Sequence, residues 1–165
     1  MRRYLLVATV LAAAALIGST AAENLPAQAS VSVAVSPDGT AVYVTGMSFA
    51  GGNNFGYATI AYNTATGRLR WASRHGGYEA HSVAVSPRGN AVYVTGYGRS
   101  DSGYVTVAWT AATGRQLWTN RGPGVGIGFG SADLIVASPN GSTVFVTGWT
   151  QVGRHIDYLT IAYRS

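Results

Sequence analysis

The segment SVAVSPDGTAVYVTG (32–46) returns as SVAVSPRGNAVYVTG (82–96), with thirteen of fifteen letters unchanged. An internal repeat constrains a fold strongly, because each copy must be one supersecondary unit that buries its faces by stacking on its neighbours. The Ser-Pro pairs fall at Ser36-Pro37, Ser86-Pro87 and Ser138-Pro139, spacings of 50 and 52 residues. A second landmark keeps the rhythm: YATIAYNTATGRLRW (57–71), YVTVAWTAATGRQLW (104–118), then YLTIAYRS (158–165). Three units are therefore expected, the third without its outer strand.

Each unit reads as four short strands. SVAV alternates small and branched residues, and SPDG is a turn in which proline pre-sets φ and Gly39 accepts a positive φ. Arg88 and Asn140 take the place of Asp38 later, so the turn depends on proline and glycine more than on the acid. AVYVTG is rich in β-branched and aromatic residues, as a strand requires. YATIAY supplies the third strand, NTATG turns, and RLRWASR supplies the fourth. Strands this short, with turn signals every 8–12 residues, predict an all-β sandwich, barrel or propeller. A four-stranded unit repeating at about 50 residues selects the β-propeller. Blades are expected at about 31–75, 80–122 and 132–165 within a repeat domain over 30–165.

These letters resemble known repeats. VSPDGTAVYVTG is similar to the YVTN-type propeller repeat. AYNTATGRLRW and AWTAATGRQLW resemble the tryptophan-docking motif of pyrroloquinoline-quinone-like propellers. The resemblance implies docking positions at Ala61, Gly67 and Trp71, and again at Ala108, Gly114 and Trp118. Asn63 and Thr110 stand where the family places an aspartate. It also implies that ligands meet the face bearing the loops between second and third strands and between blades. That face would carry His75, Glu79, His81, Arg99, Asp101, Asp133, Arg154, His155 and Asp157. No quinone or other cofactor is carried over, because the repeat is a structural device and fold does not imply function.

Closed propellers use about 4–8 blades. A three-blade chain is thus expected to be a piece of a longer protein, half of a ring that a homodimer completes, or an open arc. Residues 1–22 read as a secretory signal: MRR, an apolar stretch of fifteen residues (4–18), then small residues for cleavage at TAA, or as late as residue 29. Secretion is the expectation, with membrane attachment only if that segment stays uncleaved. The absence of cysteine leaves the domain to be held by packing.

Chemistry is harder to find. All 11 basic residues are arginines without a cluster, which argues against a nucleic-acid partner despite the formal charge of +5. The three histidines match no zinc spacing, and no calcium-loop pattern occurs. There is no G-x-S-x-G elbow. GPGVGIGFG (122–130) places glycine at alternate positions, which is not the phosphate-cradling spacing. Glu79 and Asp133 form the only carboxylate pair near equivalent blade positions. The leading expectation is a non-catalytic binding module or scaffold for a protein or carbohydrate ligand. One alternative is a hydrolase or quinoprotein-like oxidoreductase that is active only as a complete ring. The other is a carbohydrate-binding module using Phe49, Phe55, Tyr78 and Phe129.

Overall fold

The computed structural model describes residues 30–49, 55–98, 103–122 and 130–165. Residues 1–22, expected to be a signal, and Arg99, Asp101 and Phe129 lie outside the described residues. The first sheet runs β1 (Val31–Val35), β2 (Ala41–Phe49), β3 (Phe55–Asn63), β4 (Leu69–Gly76) in that spatial order. The second repeats it with β5 (Glu79–Val85), β6 (Ala91–Tyr97), β7 (Tyr104–Thr110) and β8 (Gln116–Arg121). The third holds β9 (Gly130–Ala137), β10 (Thr143–Val152) and β11 (His155–Arg164). Every pairing is antiparallel. The sheets stack face to face as three blades in an open arc, with β5 against β1 and β2, and β9 against β5 and β6.

The repeated letters explain both the turns and the faces. In the first turn Gly39 N donates to Ser36 O (2.8 Å) at φ 71°, and Ala41 N donates to Ser36 Oγ (2.9 Å). The Asp38 carboxylate accepts from Ser36 Oγ and from Thr40 N, which holds its pKa below the usual carboxylate value. Asn90 and Asn140 do the same for Ser86 and Ser138, so the hydrogen bond survives loss of the acid. Beyond the turn, V-x-V-x-G residues point back and A-x-Y-x-T residues point forward, because side chains alternate along a strand. Val92, Val94, Val105 and Val107 thus share one core with Tyr43, Tyr57 and Trp71 of the first blade. Tyr93, Tyr104 and Ala108 share the other with Ile135, Val144 and Val146 of the third.

Most polar groups in these cores are paired, as burial demands, although the Trp109 indole N–H is buried without a partner. Each blade carries a threonine couple across its second and third strands: Thr45–Thr59 (3.1 Å), Thr95–Thr106 (3.0 Å) and Thr147–Thr160 (3.0 Å). In the first two blades the forward-facing tyrosine near the start of the third strand donates to a carbonyl of the next blade, Tyr57 to Val105 (3.2 Å) and Tyr104 to Leu159 (2.9 Å). Burial pushes the Tyr57 hydroxyl pKa up strongly, and burial, with the Asp133 charge next in importance, pushes Tyr104 up to about 12. On the innermost strands Val83 N donates to Ser32 Oγ (3.2 Å), and Ile135 N donates to Ser82 Oγ (3.3 Å).

Tryptophan locks the first joint. Ala61 lies directly across from Trp71 in register, and the small side chain leaves the indole room. Trp71 Nε1 donates to Ala111 O (2.8 Å) in the turn of the second blade, whose Gly114 lies under the ring. A Cβ on Gly114 would come within 2.5 Å of Trp71, and φ there is 68°. The turn that carries Gly67 (φ 67°) is tied by Asn63 Oδ1, which accepts from Ala65 N (3.1 Å) and Thr66 N (2.9 Å). Thr110 makes only a weaker substitute, accepting from Arg115 N (3.1 Å). Trp118, across from Ala108, lies between Tyr93 and Tyr163, both at 6.0 Å.

Candidate functional site

Two β-bulges create the most distinctive local chemistry. β5 pairs Ala80 with Gly96 and Ser82 with Thr95, leaving His81 as the extra residue. β9 pairs Ala132 with Gly148 and Leu134 with Thr147, leaving Asp133 extra. A bulge re-aims a side chain and is favoured beside functional sites. Both need glycine opposite: a Cβ would meet Glu79 O at 2.0 Å on Gly96, and Ser131 O at 1.9 Å on Gly148. At Gly46, where β1 pairs without a bulge, the same approach relaxes to 3.0 Å.

The bulged residues meet across the second joint. His81 Nδ1 lies 3.0 Å from Ser131 Oγ and 3.4 Å from Asp133 Oδ1, and its Nε2 lies 3.7 Å from Glu79 Oε2. Glu79 Oε1 accepts from Ser30 N (2.8 Å), which ties the group back to the first blade. Of the residues expected on the ligand face, Glu79, His81 and Asp133 are therefore brought together. The order serine–histidine–glutamate invites comparison with a nucleophile–base relay. The geometry falls short of one: 3.7 Å is beyond a hydrogen bond, Asp133 competes with Ser131 for Nδ1, and Ser131 is buried. Among the described residues no group of three His, Cys, Asp or Glu has the arrangement to hold a metal ion.

The other expected residues go elsewhere. His75 belongs to β4, its Nδ1 3.1 Å from Gln116 Oε1 and its Nε2 3.4 Å from Thr119 Oγ1. Burial, opposed by the Gln116 hydrogen bond, lowers its pKa, with Arg121 adding to the effect. It is a joint residue, because β4 and β5 run on until only Gly77 and Tyr78 separate them. Arg154, His155 and Asp157 are exposed on the hairpin of β10 and β11. That hairpin stays paired out to Val152 and His155.

Beside the cluster lies an open groove of about 370 Å³ lined by Tyr78, Glu79, His81, Tyr97, Ser131, Trp149 and Gln151. An aromatic row leads into it across the first joint: Phe49–Phe55 (5.1 Å), Phe55–Tyr78 (5.2 Å) and Tyr78–Tyr97 (5.9 Å, edge to face). Tyr97 and Trp149 are the additions that sequence alone did not single out. Their signal is positional: both follow the repeated Thr-Gly pair, where the first blade has Met47.

Stacked four-stranded meanders in an arc define a partial β-propeller. Comparison with solved structures agrees. Kuenenia stuttgartiensis hydrazine synthase matches 81% of this chain at a TM-score of 0.63 and 17% identity. The β-propeller domain of Cps50 (Swd1) from Myceliophteria thermophila matches 85% at 0.51 and 10% identity. Dihydro-heme d1 dehydrogenase NirN, in complex with DHE, matches 84% at 0.53 and 17% identity. This chain spans 38%, 39% and 29% of those chains respectively. No protein-family profile matches the sequence, and no curated protein does.

Proposed function

We propose that this chain is a secreted, non-catalytic propeller module of the YVTN and quinone-like repeat type, and that it binds carbohydrate at its loop end. The observation carrying this reading is the aromatic row Phe49–Phe55–Tyr78–Tyr97 running into a groove that Trp149 closes. Ring faces offer apolar area at little entropic cost, and Glu79, His81, Ser131 and Gln151 supply hydrogen bonds for hydroxyl groups. Binding to cellulose, chitin and xylan particles tests it. Wild-type retention on one of them, lost in Tyr97→Ala and Trp149→Ala with unchanged thermal unfolding, is the expected result. No retention on any of the three removes the reading.

A hydrolase has one observation on its side, the Ser131–His81 contact. Release of soluble sugar or of acyl groups by the wild type, abolished in Ser131→Ala, would replace binding with catalysis. Retention without release supports the module.

A further inference from the structure

The two ends of the arc present the two halves of a joint that the chain already makes twice. We infer that a second copy of this chain docks head to tail, so that two arcs close a six-bladed ring. This rests on the end faces alone and is separate from the carbohydrate reading.

At each internal joint one carbonyl accepts two hydroxyls. Val105 O takes Thr95 Oγ1 (3.2 Å) from its own blade and Tyr57 from the blade before. Leu159 O takes Thr147 Oγ1 (3.3 Å) and Tyr104 in the same way. The corresponding residue of the first blade is Ala58, whose carbonyl takes Thr45 Oγ1 (2.9 Å). Its counterpart tyrosine is Tyr158, on the forward face of the third blade and 87% exposed. In the ring, Tyr158 donates to the carbonyl of Ala58 of the partner subunit.

The surrounding surface follows the same rule. The receiving face of the first blade offers Val31, Val33 and Val35, and the forward face of the third offers Leu134, Val136 and Phe145. Val33 is 63% and Leu134 62% exposed. They occupy the positions that inside the chain form the pairs Val83–Ser32 and Ile135–Ser82. Leu134 replaces the serine, so this third joint exchanges a hydrogen bond for apolar contact. Exposed apolar faces of this kind drive association. Two such joints related by a two-fold axis close an assembly of six blades, within the 4–8 that propellers use.

The chain contains no cysteine, so disulfide trapping reports only on introduced residues. The purified full chain carrying both Val33→Cys and Leu134→Cys is oxidised at micromolar concentration and sized under denaturing conditions. A covalent dimer, with native mass spectrometry of the wild type giving twice the chain mass, is the expected result. Each single-cysteine variant must stay uncrosslinked, because a dimer from Val33→Cys alone would mean that like faces meet. A ladder of larger species would mean an open filament, and a monomer in both measurements would mean that the two end faces do not pair between copies. Any of these three overturns the ring. Tyr158→Arg, at a solvent-exposed position, should halve the wild-type mass while leaving the far-ultraviolet spectrum unchanged.

Discussion

At the first joint Trp71 is 7% exposed, bonded to Ala111 through its indole N–H and seated on Gly114. At the second, Trp118 has Tyr93 and Tyr163 at its sides and remains only partly buried. The letters around the two tryptophans are nearly the same. What differs is the turn of the following blade, which supplies the carbonyl and glycine for Trp71. A tryptophan of this repeat thus rests on a tyrosine of its own blade, Tyr43 at 5.8 Å, but is locked by residues some forty positions later, Ala111 and Gly114.

The sharpest way to break this comparison is to remove each indole. Trp71→Ala should cost about 3–5 kcal/mol, as truncation of a buried aromatic does, and Trp118→Ala about half as much. Urea unfolding of both variants checks the order, and equal losses would refute the distinction. Gly114→Ala comes next. It combines an alanine at positive φ with a ring contact at 2.5 Å, together about 2–4 kcal/mol. Gly39→Ala has the same sign of φ but open space, so only about 1–2 kcal/mol is expected from the thermal midpoint.

Ser32→Ala and Ser82→Ala each remove one bond between innermost strands and should each cost about 1 kcal/mol. Here the joints should behave alike, and amide exchange at Val83 and Ile135 respectively would report the loss. The smallest effect is confined to the first joint. His75, beside Gln116, Thr119, Arg121 and Tyr57, has a pKa below the ordinary 6.5, so the unfolded chain binds its proton first on acidification. Stability should hold above pH 6.5 and fall as the pH drops from there towards the depressed value. The urea midpoint of His75→Gln, measured between pH 7.5 and 5.5, should fall less than that of the wild type.

The blades were legible because their rule is local. Proline and glycine fix the turns, and alternation assigns Val92 and Val94 to one face and Tyr93 and Thr95 to the other. The functional end was legible only in part, because it depends on register. His81 and Asp133 occupy equivalent repeat positions, yet nothing in EAHSVAV or SADLIVA announces an unpaired residue. The bulge becomes visible only in how closely Gly96 and Gly148 approach the opposite strand. His75 was misplaced for the related reason that strand pairing overran a histidine- and glycine-rich stretch that reads as loop. Phe49, Phe55 and Tyr78, readable in the sequence as loop aromatics, stand in one row that continues through Tyr97, which the sequence hides inside a strand.

The tyrosine, tryptophan and serine links all reach from one blade to parts of the next, and this has a consequence for synthesis. As the chain leaves the ribosome, Tyr57 and Trp71 emerge well before Val105 and Ala111, the carbonyls that receive them. The first blade can therefore pair its strands early but cannot lock, and each later blade sets its predecessor. Nearest-neighbour coupling of this kind gives the centre two supports and each end one. In a single unpaired arc hydrogen exchange should then be slowest in β6 and β7 and fraying should begin at β1 and β11, an asymmetry that ring closure would remove.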